Sequence, residues 1–158
     1  GSELIQRLTA GGVLPLFTSC SPGWVNFVET FYPTLIPHLS TAKSPQQMFG
    51  ALAKTYAAGI LKLDPSRMKV VSIMPCTAKK YEAAREEMKA AAEYWRKKGS
   101  SFQAFPDVDI VLTSRETVKL LRSLKINLAE MPEQNADPLL GKYTGAASIF
   151  GRTGGVME

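Results

Sequence analysis

Residues 70–80 read VVSIMPCTAKK, an apolar run followed at once by a proline–cysteine turn and the lysines of a polar segment. A short apolar, β-branched run bounded by turn residues is typical of a buried strand. Residues 13–24, VLPLFTSCSPGW, repeat this order around a second cysteine. In an open parallel sheet, ligands bind beyond the carboxyl ends of the strands. We therefore expect the loops of Cys20 and Cys76 to face one crevice, where they would form a shared metal or redox site.

Helix signals alternate with these strands. Residues 44–47, SPQQ, combine an N-cap serine, a first-turn proline and a glutamine, which predicts a helix from 45 to about 61. We expect that helix to bury one apolar face, formed by Met48, Leu52, Tyr56 and Ile60. A long polar helix is predicted over 77–98 and a third strand over 109–112. The alternation predicts an α/β fold, with an open, mostly parallel sheet of about four strands flanked by helices.

The composition is that of an ordinary globular chain. Its 158 residues, 45% hydrophobic and 21% charged, suit one domain or one lobe of a larger domain. The net charge of +5 forms no basic stripe and no apolar run reaches about 18 residues, so neither nucleic-acid binding nor a membrane span is expected. Two cysteines without a secretory signal indicate a cytoplasmic protein with free thiols or metal ligands. Gly1 and Ser2 are interpreted as the remnant of an expression tag.

The cysteines do not by themselves complete a metal site, because structural zinc and iron–sulfur sites normally take four ligands. The sequence contains no Cys-x-x-Cys pair, and His38 is expected to be an ordinary loop residue. Taken alone, either cysteine is explained as a small buried apolar residue. Lys79 stands at the start of a predicted helix, where a cation is unfavourable, and this slightly favours a specific anionic partner over a solvated side chain.

Several segments together resemble the catalytic domain of iron-only (di-iron) hydrogenases. They follow the family's order and span nearly the whole chain: FTSC at 17–20, PGW at 22–24, KSPQQ at 43–47, MPCT-x-KK at 74–80 and IFG-x-TGGVME at 149–158. In that family two α/β lobes enclose the H-cluster, a 4Fe-4S cubane bridged by cysteine to a di-iron unit with CO, cyanide and dithiolate ligands. These enzymes interconvert protons, electrons and hydrogen gas. The resemblance implies that residues 3–158 form one lobe of this domain, a fragment of an oxidoreductase.

The resemblance also implies roles around the cluster. Cys76 is expected to be a thiolate ligand of the cubane. Lys79 is expected to bond a cyanide of the di-iron unit, because a fixed cation stabilises an anionic ligand in a dry site. Cys20 is expected to relay protons to the bridging amine. Three residues are expected to pack around the di-iron unit: Met74, Pro75 and Phe150.

A proton path follows from the same resemblance. Ser40, Glu3 and Arg7 fall at the positions of the family's inner serine, carboxylate and outer arginine. Thiol, hydroxyl and carboxyl groups pass a proton in short hops when they lie within hydrogen-bond reach. From the residues alone, a surface ion pair between positions i and i+4 is the better explanation of Glu3 and Arg7.

The chain departs from the family at two points. Ser21 stands where the family has a second cysteine that binds the cubane, and a neutral hydroxyl is a poor iron ligand beside thiolate. Either this residue is a substitution, natural or engineered, or the ligation differs. The family's late Cys-x-x-x-Cys segment and its ferredoxin-like cluster domains fall outside the 158 residues. We therefore expect neither a bound H-cluster nor activity in this chain alone, with the rest of the catalytic domain and ferredoxin-like domains or subunits as its partners.

Three other interpretations stay open. A hydrogenase-like protein that assembles or carries iron–sulfur clusters shares the fold, but the retained Cys20, Met74 and Lys79 serve a di-iron unit. A hydrogen sensor tends to change the proton-relay position, which this chain keeps. A plain scaffold would use both cysteines in its core. Apolar side chains near the cofactor face also predict self-association through Phe17, Trp24, Met74 and Phe150.

Overall fold

The computed structural model describes residues 1–137, 139–141, 145 and 148. Its helices are Ser2–Ala10 (α1), Pro22–Phe31 (α2), Pro45–Leu52 (α3), Ala58–Leu61 (α4), Ala78–Ala84 (α5), Ala90–Lys97 (α6) and Ser114–Ser123 (α7). Its strands are Val71–Ile73 (β1) and Ile110–Leu112 (β2), and shorter helical turns cover Pro33–His38, Ala53–Ala57 and Leu128–Glu130. Phe150 and the glycine-rich residues 151–155 lie outside the described residues.

The two strands pair in parallel, with Ser72 opposite Val111, and helices α5 and α6 lie between them along the chain. The α/β class and the parallel pairing are therefore confirmed. Over the described residues the sheet has two strands, where about four were expected. The expected strand over 13–17 is reduced to one parallel bridge between Phe17 and Leu39. Pro15 lacks a backbone N–H, so this segment cannot continue a hydrogen-bonded ladder.

The helix predicted from residue 45 begins where expected. The Ser44 side chain accepts a hydrogen bond from the Gln47 amide, and the helix runs from α3 through the π-helical turn Ala53–Ala57 into α4. The predicted buried face is wrong, because the four apolar residues proposed for it are 43% to 56% exposed: Met48, Leu52, Tyr56 and Ile60. The helix instead turns its small and polar residues inward. A Cβ at Gly50 would lie 2.5 Å from the Asp107 carbonyl oxygen, so only glycine permits this approach.

A buried ion pair holds the next turn of the same helix. Lys54 is fully buried, and its ammonium lies 2.6 Å from Asp109 and donates to the Pro106 carbonyl at 2.8 Å. Burial opposes ionisation of Asp109, but the hydrogen bonds from Lys54 and from the Val70 amide outweigh it and lower the pKa of this carboxyl. The charged pair therefore fixes the π-helical turn against the start of β2.

The long helix predicted over 77–98 is two helices, α5 and α6. The break between them is stabilised by Asp107, a fully buried residue whose carboxylate accepts from the amides of Ala90 and Ala91 at 2.9 and 2.8 Å. These amides are the unpaired donors of the first turn of α6, so a side chain distant in sequence provides the cap. Local helix propensity alone gives no sign of it.

The apolar core is small and lies where the π-helical turn and α5 meet the sheet. Its buried members are Ala53, Val70, Val108 and Val111, with Met74 and Ala83 packed against them. Glu29 of α2 is tied to the end of α5 by Arg85, whose guanidinium donates to both carboxylate oxygens at 2.9 and 2.6 Å. Helix α1 ends at Ala10, and its C-cap Gly11 has a left-handed φ of 75°.

Candidate functional site

The Lys79 side chain is buried and lies between the two cysteine segments. Its ammonium donates to the backbone carbonyl of Cys20 at 2.5 Å and contacts the two carboxylate oxygens of Glu82 at 3.2 and 3.3 Å. Lys79 stands three residues after Cys76, in the first turn of α5. One side chain therefore connects the helix that follows Cys76 to the loop that carries Cys20.

Glu82 is the centre of the polar contacts around this lysine. Its Oε2 accepts from the Ser44 hydroxyl at 2.7 Å and from the Gln46 amide at 3.3 Å, besides its contact with Lys79. All four side chains are more than nine-tenths buried. We call Ser44, Gln46, Lys79 and Glu82 the lysine cluster.

Buried amide atoms beside the cluster have unmet hydrogen-bonding capacity. Oε1 of Gln46 and both polar side-chain atoms of Gln47 are buried and find no hydrogen-bond partner among the described residues. Most buried polar groups in proteins are paired, so such atoms indicate that a further polar group completes the site.

The two cysteines are free thiols and both are exposed. Ser21 is exposed and occupies the N-cap position of α2, without a capping hydrogen bond from its side chain. Met74 is half-buried against the apolar core, whereas Pro75 is exposed. Within the described residues, no group of three His, Cys, Asp or Glu side chains lies close enough to hold a metal ion. The thiols are thus available to partners from outside these residues.

The structure brings Ser40, Glu3 and Arg7 into direct contact, and we call these three the relay residues. The Ser40 hydroxyl donates to Glu3 Oε2 at 2.5 Å, and Arg7 donates to Glu3 Oε1 at 2.8 Å. The Ser40 hydroxyl and then the Thr41 amide lower the pKa of Glu3 from its ordinary 4.5 to about 2, with a smaller contribution from Arg7. Glu3 and Arg7 form the i,i+4 ion pair expected from the residues alone. The same carboxylate also accepts from Ser40, which lies 37 residues later in the sequence.

Arg7 does more than pair with Glu3. Its guanidinium also donates to the carbonyls of Val13 and Pro37, both at 3.0 Å, and of Leu39 at 2.8 Å. The same guanidinium thus orients the Glu3 carboxylate. These contacts fix α1 against the 3-10 turn that precedes Ser40.

A cleft of about 230 Å³ connects the two groups of residues. Ser40 and Thr41 line one part of it, and Ser44 and Glu82 line another. Ser19, the neighbour of Cys20, lines the cleft as well and donates to the Ala42 carbonyl at 2.7 Å. Ser40, Ser19 beside Cys20, and the cluster members Ser44 and Glu82 therefore border one cleft.

The sequence prediction missed Glu82, Ser44 and Gln46 as site residues. Ser44 was expected only as a helix cap, yet its hydroxyl serves both the Gln47 amide and Glu82. A usable signal was the spacing of Lys79 and Glu82, because residues three apart share one face of a helix. His38 behaves as predicted, with its Nδ1 2.9 Å from the Pro15 carbonyl oxygen. Phe150 lies outside the described residues.

Comparison with known proteins identifies the family. A family model described as "Iron only hydrogenase large subunit, C-terminal domain" matches residues 1–158, and the chain therefore belongs to this family. Iron hydrogenase 1 of Clostridium pasteurianum is 47% identical over 157 residues, which are 99% of this chain and 25% of the relative. The periplasmic Fe hydrogenase large subunit of Nitratidesulfovibrio vulgaris is 48% identical over 160 residues, 100% of this chain and 35% of the relative.

A solved structure supports the fold. A variant of apo FeFe-hydrogenase HydA1 from Chlamydomonas reinhardtii is 42% identical and superposes with a TM-score of 0.77, covering 99% of this chain and 37% of that one. The cytosolic Fe-S cluster assembly factor NAR1 of Sclerotinia sclerotiorum is 40% identical over 131 residues, 82% of this chain and 22% of the relative. The chain thus spans about a quarter to a third of the curated relatives that it matches.

The comparisons bear only in part on where the protein works. Among the described residues, no helix combines the length and apolar character that crossing a membrane requires. One relative carries the word periplasmic in its name. The cytoplasmic location expected from the cysteines is therefore still a prediction.

Proposed function

We propose that this chain forms one side of the H-cluster site of an iron-only hydrogenase, which interconverts protons, electrons and hydrogen gas. The observation that carries the proposal is the buried Lys79 ammonium, which joins the helix after Cys76 to the backbone of Cys20. Both cysteine segments match the family's motifs except at Ser21, and the chain belongs to the family along its whole length.

The donor set present fits one corner of a cubane. A 4Fe-4S cluster takes four thiolates, and the 158 residues contain two cysteines, of which Cys20 is assigned to proton relay. Cys76, an exposed free thiol, is the ligand that this chain would supply. The other thiolates would come from residues outside these 158. When bound, the cluster supplies the electrons and the metal at which hydrogen is formed or split.

The lysine cluster would recognise the charged part of the cofactor. Lys79 presents a fixed cation in a site from which most water is excluded, which is suited to an anionic ligand such as cyanide. The unpaired Nε2 group of Gln47 is a further hydrogen-bond donor for the same purpose. Met74 and Pro75 adjoin Cys76 in sequence and, with Phe150, are proposed to form the apolar packing.

The relay residues would move protons between solvent and the Cys20 thiol. Ser40 passes its hydroxyl proton to Glu3 while its oxygen takes a proton from the thiol side, so the hydroxyl is restored by each transfer. Glu3 accepts as a carboxylate, and its pKa of about 2 makes the protonated form short-lived at neutral pH. Arg7 holds Glu3 in place for this exchange. The reverse sequence delivers protons inward.

Electrons would arrive from ferredoxin-like domains or subunits, and the rest of the catalytic domain would cover the cofactor. We propose a cytoplasmic location, which is supported by the two free thiols. The periplasmic relative argues for the other compartment, and cell fractionation of the complete protein decides between them.

The proposal is tested in the complete hydrogenase that contains this chain, loaded with its cofactor without oxygen. We expect Cys76→Ser to lose bound iron and hydrogen evolution together. Cys20→Ser is the matched variant, and we expect it to keep the iron while hydrogen evolution falls at least about a hundredfold, as for loss of a proton-transfer group. Equal iron loss in both variants, or full activity in Cys20→Ser, contradicts the assigned roles.

The separate chain gives a second measurement. We predict that the 158 residues, treated with iron and sulfide, bind no stoichiometric 4Fe-4S cluster, because too few thiolates are present. Iron and acid-labile sulfide assays check this. A stoichiometric cluster signal would show that the ligation differs from the family pattern.

Iron–sulfur cluster assembly without a di-iron unit is the second candidate function. It is favoured by the similarity to the assembly factor NAR1 over 82% of the chain. A complete protein that transfers a 4Fe-4S cluster to an acceptor and evolves no hydrogen would support this candidate over the hydrogenase.

A further inference from the structure

We infer that Glu82 is a positioning residue, which fixes the direction of the Lys79 ammonium at the Cys20 loop. The inference concerns the lysine that the proposed function places beside the di-iron unit, and it deepens that proposal. It assigns Glu82 no direct contact with reacting atoms.

The geometry of the ammonium group is the first argument. A lysine ammonium has three N–H donors. The described residues offer it three acceptor atoms, the Cys20 carbonyl oxygen at 2.5 Å and the Glu82 oxygens at 3.2 and 3.3 Å. Glu82 supplies two of these three atoms, and because they lie at nearly equal distances they can share one N–H, which leaves one donor for the anionic ligand proposed above. Because the Lys79 side chain is 7% exposed, little water can take their place.

The second argument is that Glu82 is itself held from another helix. Its Oε2 receives the Ser44 hydroxyl at 2.7 Å and a Gln46 amide hydrogen at 3.3 Å, both from the start of α3. The Gln46 amide also donates to the Lys79 carbonyl oxygen at 3.3 Å. The carboxylate orientation is therefore fixed by residues that do not contact the lysine ammonium. Helix α3 therefore helps to set the direction of the Lys79 ammonium, because Ser44 and Gln46 hold the Glu82 carboxylate.

Charge is the third argument. An isolated buried ammonium is strongly unfavourable, whereas a paired and hydrogen-bonded one is accepted. A neutral amide at position 82 would keep the size of the side chain and remove the paired charge. The cation would then favour other directions, including solvent, and its contact with Cys20 would weaken.

The wild-type chain without cofactor allows a direct test. A nitrogen-15 spectrum of lysine ammonium groups is expected to show Lys79 as a slowly exchanging signal that couples through its hydrogen bonds to the Glu82 carboxylate carbon. Lys79→Met assigns the signal by removing it. The Lys54 signal is the internal control, because this ammonium is fully buried beside Asp109 at 2.6 Å. A spectrum with the Lys54 signal but none from Lys79 overturns the inference.

Chemical labelling of lysines tests the role by substitution. In Glu82→Gln, acetic anhydride should modify Lys79 about tenfold faster than in wild type, the change expected when charge-assisted hydrogen bonds are lost. Glu82→Asp keeps the charge and should restore part of the protection. Glu86→Gln is the matched control, since it removes an exposed carboxylate four residues away and should leave the rate unchanged. Should Glu82→Gln fail to fold, the wild-type spectrum decides.

An unchanged Lys79 labelling rate in folded Glu82→Gln contradicts the inference. The complete enzyme adds a spectroscopic measurement, because the infrared cyanide bands should shift in Glu82→Gln and stay fixed in Glu86→Gln. A complete wild-type protein that binds no di-iron unit would refute the proposed function, while the ammonium spectrum and labelling still judge Glu82. The two failures are therefore distinguishable.

Discussion

Single residues determine what the site can do, and the sequence predicts some of them better than others. Lys79 was recognisable because a cation at a helix start is unfavourable without a partner. Its actual partners, the Cys20 carbonyl and Glu82, follow from how the Cys20 loop and α3 meet α5. The contact between Ser40 and Glu3 joins residues 37 apart, so neither periodicity nor local spacing could predict it.

At this scale we predict the effect of Ser40→Ala on Glu3. The Ser40 hydroxyl is the largest cause of the low pKa of Glu3, so its removal should raise that pKa from about 2 towards the ordinary 4.5. The carboxylate stabilises the folded state above about pH 4.5, and this contribution is lost as the pH falls towards 2. In Ser40→Ala the contribution should be smaller at neutral pH and should disappear at a higher pH than in wild type.

Carbon-13 titration of the Glu3 carboxyl measures this change, and urea unfolding between pH 2 and 7 measures the stability. Ser19→Ala is the control, because Ser19 lines the same cleft but donates to Ala42 and not to Glu3. An unchanged Glu3 pKa in Ser40→Ala would mean that the short hydrogen bond does not exist in solution.

At the scale of elements, capping signals were reliable and long-range packing was not. Ser44 marks the start of α3 as predicted, because capping depends on a few adjacent residues, and Gly11 closes α1 by the same kind of local signal. The inward face of the helix over 45–61 was wrong, since close approach at Gly50 and the buried Lys54 pair determine it. The break between α5 and α6 depends on Asp107, which lies 17 residues after the amide of Ala90 that it caps.

Gly50→Ala tests whether that close approach controls the packing. The new Cβ would meet the Asp107 carbonyl oxygen at 2.5 Å and the Val108 side chain at 2.7 Å, so the helix must shift. We expect the free energy of unfolding to fall by about 1–3 kcal/mol, the usual effect of overpacking. Gly59→Ala in α4 is the matched control, because nothing lies within 4 Å of its added Cβ.

The control should raise the free energy of unfolding by roughly 0.5–1 kcal/mol, since alanine favours a helix over glycine. Urea or thermal unfolding compares both variants with wild type. Equal stabilisation by Gly50→Ala and Gly59→Ala would show that α3 does not pack on residues 107–108 as described.

Across the whole molecule, the class and the family could be predicted, while the extent of the sheet and the exposed surface could not. The motifs at 18–24 and 74–80 were sufficient for the family, because their residue types serve one specific chemistry. The sheet proved smaller than expected, with two strands in the described part, and the sides of β1 and β2 that carry Val71, Ile73 and Ile110 are exposed. Parallel sheets are normally covered on both faces, and the described residues leave this face without such cover.

The apolar residues predicted to drive self-association are only partly exposed where the structure describes them. Phe17, Trp24 and Met74 are half-buried, and the Phe17 and Trp24 rings pack edge to face at 6.0 Å. The larger apolar surface is the outer face of the helix over 45–61, which exposes Met48, Leu52, Tyr56 and Ile60. An exposed apolar face of this kind tends to find a partner.

We therefore predict that the 158-residue chain self-associates through this outer helix face. Sedimentation velocity over a range of concentrations should show a species larger than the monomer. The double variant Leu52→Lys with Tyr56→Lys should weaken association at least about tenfold, because burying one large apolar side chain contributes about 1.5–3 kcal/mol. Leu124→Lys is the control, since Leu124 is similarly exposed but follows α7. A wild-type chain that stays monomeric at its solubility limit would contradict the prediction, and equal weakening by Leu124→Lys would place the contact elsewhere on the surface.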